Sequence, residues 1–264
     1  PHFAVVDDRD AAELMRSARD SVLRRIGEEA DPLARALADL TPHLQEAGFA
    51  ALSAALTQNR GRIADLIERY HGVEPVIAAM RTLLRSPEGQ TAASVRADAC
   101  CDRAFDHDGL RHCAGVLAAG SPTDQERGAA IACWLAASAA EREQHFDDYL
   151  RVFLTSESRP RKRMITQGAL KRAPEALTIL TEEAERLRAM IVQGRAAVTA
   201  EATAAVVRLG SALLAEYQAQ KRYRSLLDYD DLIHDSQRLL EGGMNAAWVL
   251  YKLDGGIDHV LIDE

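Results

Sequence analysis

The stretch Pro174-Glu175-Ala176-Leu177-Thr178-Ile179-Leu180-Thr181-Glu182-Glu183-Ala184-Glu185-Arg186-Leu187-Arg188-Ala189-Met190-Ile191 decides the class of fold. Leu177, Leu180, Ala184, Leu187 and Ile191 recur at alternating steps of three and four, which sets them on one face of an α-helix. Beyond Gly194 the stripe shifts by one position, to Val198, Ala202, Val206, Leu209, Leu213 and Tyr217. That drift suits a straight helix packed on a bundle, because a long coiled coil would hold the heptad. Unbroken from Pro174 to Leu226, such a helix is ~75–80 Å long at ~1.5 Å per residue. A kink near Gly194 or Gly210 would shorten its reach.

The rest of the chain reads as helix after short helix. In 264 residues, 47% hydrophobic and 27% charged, alanine and leucine outnumber the β-branched residues. Asp7 or Asp8 caps a first helix through Leu14, Ala18, Val22 and Ile26. Asp31-Pro32 and Thr41-Pro42 each place a capping side chain before a first-turn proline, predicting helices Pro32–Leu40 and Pro42–Thr57. Glu74-Pro75 and Ser121-Pro122 start others, and Phe146, Tyr149, Leu150 and Phe153 form one apolar face. The expected fold is mainly α, an irregular helical bundle, with short strands near each terminus at Phe3–Val6 and Ile257–Ile262. No internal repeat aligns, so a solenoid is not predicted.

The terminal run Ile257-Asp258-His259-Val260-Leu261-Ile262-Asp263-Glu264 reads as a buried parallel strand ending in two carboxylates. Acids at that place hold Mg²⁺ and position water in nucleotide-hydrolysing α/β folds, and also occur at ordinary surface turns. No Gly-x-x-x-x-Gly-Lys-[Ser/Thr] loop is present, so this chain alone is expected not to hydrolyse ATP. It starts at Pro1 and stops on those acids, and reads as a piece of a longer protein.

A net charge of −8 argues against a general nucleic-acid binder, leaving only a local basic patch for that role. Residues 155–173 supply one: Arg159, Arg161, Lys162, Arg163, Lys171 and Arg172, with no acid between Arg159 and Arg172. The segment reads as a loop with a short extended piece at Met164–Thr166. Its cations suit a phosphate backbone, or equally a solvated loop paired to acidic neighbours. No aromatic side chain accompanies them to stack bases.

Cys100, Cys101, Cys113 and Cys133 lack Cys-x-x-Cys spacing and suit a reducing cytoplasm. His107-Asp108 and His234-Asp235 match the dipeptide of the helical metal phosphohydrolases, which need two further ligands. A dimetal bundle wants two Glu-x-x-His motifs, and only Asp231-Leu232-Ile233-His234 comes near. No apolar run approaches the ~20 residues of a membrane span.

Three segments carry a resemblance: Tyr217-x-x-x-Lys221, Leu227-Asp228-Tyr229-Asp230-Asp231-Leu232-Ile233, and Trp248 through Glu264. Together they resemble the UvrD/Rep-like superfamily 1 DNA helicases, and more narrowly the AddA subunits of bacterial double-strand-break repair. Phe153-Leu154-Thr155, Arg159-Pro160-Arg161-Lys162 and the opening Pro1 to Asp8 are similar to the same subfamily. The middle, from Leu33 to Asp147, carries no motif. The resemblance implies that residues 1–7 leave a RecA-like motor domain, 8–227 form an inserted helical 1B-like subdomain, and 228–264 return to the motor. It implies that Asp263 and Glu264 open the Asp-Glu-x-x box, with Asp263 helping to hold Mg²⁺ and Glu264 activating water. ATP, Mg²⁺, DNA and an AddB-like second subunit are then the parent's cofactors and partners, in the cytoplasm and away from membranes. This region is expected to contact duplex DNA without being catalytic alone. The alternatives are a stand-alone helical interaction scaffold and a His-Asp phosphohydrolase.

Overall fold

Short polar side chains open half of the described α-helices by covering backbone N–H groups that have no partner in the first turn. In the computed structural model Asp7 accepts from the N–H of Asp10, and Asp31 from that of Leu33. They start α1 (Asp8–Arg25) and α2 (Pro32–Leu40). The structure describes residues 3–27, 31–44, 46–241, 246–254 and 259. The described residues are 78% helical and hold fourteen α-helices and two short strands.

Thr41-Pro42 does not open a helix. Thr41 caps the end of α2, its N–H and its hydroxyl both donating to the carbonyl of Leu37, so the hydroxyl is turned away from the residues ahead. The next helix, α3, spans Glu46–Gln58. It is followed by α4 (Arg60–Arg69), which closes on left-handed His71 and Gly72, and by α5 (Val73–Leu84).

The chain divides into two compact units, Pro1–Ile77 with Ala202–Glu264, and Ala78–Glu201. In the first, β1 (Ala4–Val5) pairs in parallel with β2 (Leu226–Leu227), Ala4 opposite Leu226 and Val5 opposite Leu227. The Phe3–Val6 run thus supplies a strand, and its partner lies where the expected long helix ends, at Leu226 and the residue after it. The other expected strand, Ile257–Ile262, lies outside the described residues. Behind the pair Val6, Leu14, Met15 and Ala18 bury against Leu213 and Tyr217, while Ala36 and Leu40 bury against Ala205 and Leu209.

The second unit holds α6 (Ala92–Cys100), a 3₁₀ turn at Asp102–Ala104, α7 (His107–Ala118), α8 (Pro122–Ala136), α9 (Ala139–Gln144), α10 (Phe146–Phe153) and α11 (Gln167–Arg172). Ser121 caps α8 in a box whose partner is Asp124. Phe105, Trp134, Phe146, Tyr149 and Phe153 fill the core, with the Trp134 and Tyr149 rings stacked at 3.9 Å. Helices α7 and α8 approach closely at Gly128, where an added Cβ would stand 3.0 Å from the Ala114 carbonyl. Arg142 is buried here and satisfied: it donates to the carbonyls of Trp134 at 2.9 Å and Cys100 at 3.0 Å and to Asp102 at 2.6 Å. Its guanidinium also lies 4.9 Å from the Phe105 ring centroid.

Helix α12 runs unbroken through Glu175–Tyr223, passing both glycines. Gly210 has a packing role: a Cβ there would fall 2.9 Å from the Leu56 side chain of α3. Leu180, Ala184, Leu187, Leu209, Leu213 and Tyr217 are buried as the periodicity predicts. Leu177 is exposed, and Val198, Ala202 and Val206 are half-buried, because fully buried Ala197, Ala200, Ala204 and Ala205 form the closest line of packing. By length and composition α12 is apolar enough to cross a bilayer, yet its buried side chains belong to protein cores. After β2 come α13 (Tyr229–Glu241) and α14 (Ala246–Asp254).

Candidate functional site

Tyr217 and Lys221, one turn apart near the end of α12, share a helix face. Asp228 precedes α13 and Asp231 sits in its first turn. The Asp231 N–H donates to Asp228 Oδ1 at 3.0 Å and the Asp228 N–H to Asp231 Oδ2 at 3.0 Å, a capping box made of two aspartates. Lys221 Nζ donates to Asp228 Oδ2 at 2.8 Å and also to Asp231 Oδ2. The Tyr217 hydroxyl donates to Asp228 Oδ2 at 2.8 Å. From α4, Arg60 bonds Asp228 Oδ1 and lies 3.3 Å from Asp230 Oδ2.

Charge and burial explain how this cluster behaves. Burial pushes the Asp228 carboxyl up, but the Lys221 bond, the Asp231 N–H, Tyr217 and Arg60 outweigh it and hold it at about 2. Burial, reinforced by Asp228, raises the Tyr217 phenol, which therefore stays protonated as a donor. The Lys221 ammonium, 1% exposed, also sits 4.5 Å from the Tyr217 ring centroid. Chemically this is a lock joining α12, β2, α13 and α4. A cleft of about 490 Å³ opens beside it, walled by Met15, Ala50 and Ala54 with Arg16 and Tyr229 among its lining residues. Arg60 was missed by sequence reasoning, since no local signal ties it to an acid 168 positions away.

The basic segment, in the second unit, is less of a loop than its composition predicts. Leu154 bridges Pro160 in antiparallel register, the Thr155 N–H donates to the Arg159 carbonyl at 2.8 Å, and the Arg161 N–H donates to that of Phe153 at 2.8 Å. Ser158 turns the hairpin in a left-handed conformation, φ 59°, and Arg195 of α12 donates to its hydroxyl at 2.9 Å. Met164 and Ile165 are buried in a bend, followed by Thr166, whose N–H donates to Asp124 at 3.1 Å.

The six candidate cations fall into two groups. Arg159 is 3.4 Å from Glu157, and half-buried Arg161 donates from Nε to the Arg151 carbonyl at 2.9 Å. Lys162 and Arg163 follow the hairpin and Lys171 and Arg172 end α11, all four exposed and without an ion pair among the described residues.

Asp263 and Glu264 lie outside the described residues. His107 faces Arg111 at 2.9 Å in the second unit, while His234, half-buried on α13, belongs to the first. Cys100 and Cys113 are buried, Cys101 is half-buried and Cys133 exposed, and all four are free thiols. Among the described residues no group of three or more His, Cys, Asp or Glu side chains is arranged to hold a metal ion. No family model matches this chain, and no curated protein or solved structure matches it.

Proposed function

We propose that this chain is the helical, 1B-like region of an ATP-dependent DNA helicase–nuclease subunit of double-strand-break repair, and that it holds duplex DNA through its basic segment. The observation that carries the reading is the lock. The side chains that bear the resemblance, Tyr217, Lys221, Asp228 and Asp231, bond to one another in one buried cluster. Spacing alone brings Tyr217 to Lys221 and Asp228 to Asp231, and the two pairs then meet across the turn between α12 and α13. The parallel β1–β2 pair adds support. Two residues a strand is too little to stand alone, and parallel strands are characteristic of covered α/β sheets.

ATP and Mg²⁺ belong to the same reading through Asp263 and Glu264. The described carboxylate cluster does not fit a divalent cation, because Arg60 and Lys221 already neutralise Asp228 and Asp231. ATP chemistry is therefore assigned to none of the described residues. An AddB-like second subunit and the cytoplasm complete the proposal.

Hydrogen–deuterium exchange with and without a short DNA duplex tests it. Protection concentrated in 155–173 is expected, and uniform exchange with saturating duplex contradicts it. A second reading, a helical interaction scaffold, draws on Tyr229, Ile233, Trp248 and Tyr251, large apolar side chains more than 60% exposed on α13 and α14. A scaffold would leave 155–173 unprotected by DNA.

A further inference from the structure

Between the end of α10, the hairpin Phe153–Arg161 and α12, the second unit has a recess of about 480 Å³. Its charged lining residues are Arg151 and Arg161, and among the described residues no carboxylate lines it. Thr155, Ser156 and Ser158 add three hydroxyls, and Leu154 and Ile191 give it an apolar side.

The hydrogen bonds already made leave the right groups free. Arg161 commits Nε to the Arg151 carbonyl, and its two terminal amino groups make no hydrogen bond among the described residues. Thr155 Oγ1 accepts from the Arg159 N–H at 3.3 Å, and Ser158 Oγ accepts from Arg195 Nη2 at 2.9 Å. Each hydroxyl thus has a lone pair engaged and keeps its proton to donate. Arg151 gives Nη1 to Asp148 at 2.9 Å, a competitor on the same exposed helix face.

We infer that this recess binds a phosphate group of a nucleic-acid backbone. Guanidinium groups and hydroxyl donors match the oxygens of a phosphodiester, and the apolar side suits the adjoining sugar. Inorganic phosphate shares the first chemistry but not the second. Lys162 and Arg163, both exposed, follow Arg161 in the chain and carry charge for neighbouring phosphates. The inference rests on the nucleic-acid reading of residues 155–173 and adds the recess as an anchor beside the exposed cations.

The test is duplex binding by the full chain, followed by fluorescence anisotropy across a salt series. Arg151→Gln is expected to weaken binding about five- to tenfold at roughly 0.1 M salt and to flatten the log–log salt slope by about 0.9. Asp148→Asn, which releases Arg151, is expected to tighten binding about twofold, a gain that damage to α10 would not produce. Arg111→Gln, on α7 and outside both the recess and residues 155–173, is expected to change affinity less than about twofold.

Unchanged binding in both Arg151→Gln and Asp148→Asn, with loss in a Lys162→Gln, Arg163→Gln double variant, overturns the recess and leaves the wider reading standing. Absence of salt-sensitive duplex binding in the unaltered chain overturns both. Inorganic phosphate that shifts the Arg151 and Arg161 Nε–H resonances, without any duplex binding, marks a small-anion site and overturns the nucleic-acid assignment.

Discussion

Lys221 Nζ stands 2.8 Å from Asp228 Oδ2 although its side chain is only 1% exposed. The ion pair joins the end of the longest helix to the cap of α13, and Arg60 closes it from α4. Buried pairs of this kind add little net stability over an apolar substitute, yet breaking one leaves an uncompensated charge. Lys221→Met should therefore destabilise the first unit by about 3–5 kcal/mol, read as the shift of its urea transition. A shift below about 1 kcal/mol, the level of an exposed pair, would mean that the cluster is solvated.

The same contact sets an acid limit. Asp228 is held at about 2, below the ordinary carboxylate value of roughly 3.9. A depressed carboxyl binds its proton more readily when unfolded, so its contribution is complete above about pH 4 and disappears as pH falls through about 2. Asp228→Asn should lower stability at neutral pH and reduce the further loss between those limits. Equal acid slopes in the two proteins would place the responsible carboxylate elsewhere.

Close helix packing predicts a third outcome. At Gly128 a Cβ would press on the Ala114 carbonyl and on Leu117 Cβ at 3.1 Å, both fixed in α7. Gly128→Val should cost about 2–3 kcal/mol in the second unit, seen in its thermal transition. Gly115, which has open space around its Cβ position, is the control. Gly115→Ala should be neutral or slightly stabilising, by up to about 1 kcal/mol.

Thiol reactivity should follow burial. Burial pushes both the Cys100 and Cys113 thiols up to about 11, which removes the reactive thiolate at neutral pH. Mass-spectrometric labelling at about pH 8 should modify exposed Cys133 first and leave Cys100 and Cys113 untouched until unfolding. Early modification of Cys113 would show that α7 opens locally.

Local chemistry was legible in the sequence, whereas choices between neighbours were not. Asp31-Pro32 marked the start of α2 because cap and proline act within one turn. Thr41-Pro42 carried the same spelling, but the Thr41 hydroxyl had a carbonyl behind it and took that partner. The α12 stripe was visible from its leucines, while the tightest packing fell to alanines that hydrophobicity ranks low. Leu226-Leu227 gave no strand signal, since two residues carry no period. Tyr217, Lys221, Asp228 and Asp231 could be grouped by spacing and resemblance. Arg60 could not, because tertiary folding alone brings it there.

The measurement that bears most directly on the proposed role is the salt dependence of duplex affinity, with Lys162, Arg163, Lys171 and Arg172 intact or all changed to Gln. If these cations meet phosphates, the intact chain binds duplex with a steep log–log slope, and the fourfold variant loses about 0.9 of that slope for each contact removed. Equal slopes for the two proteins, or no duplex binding by the intact chain, would contradict the account.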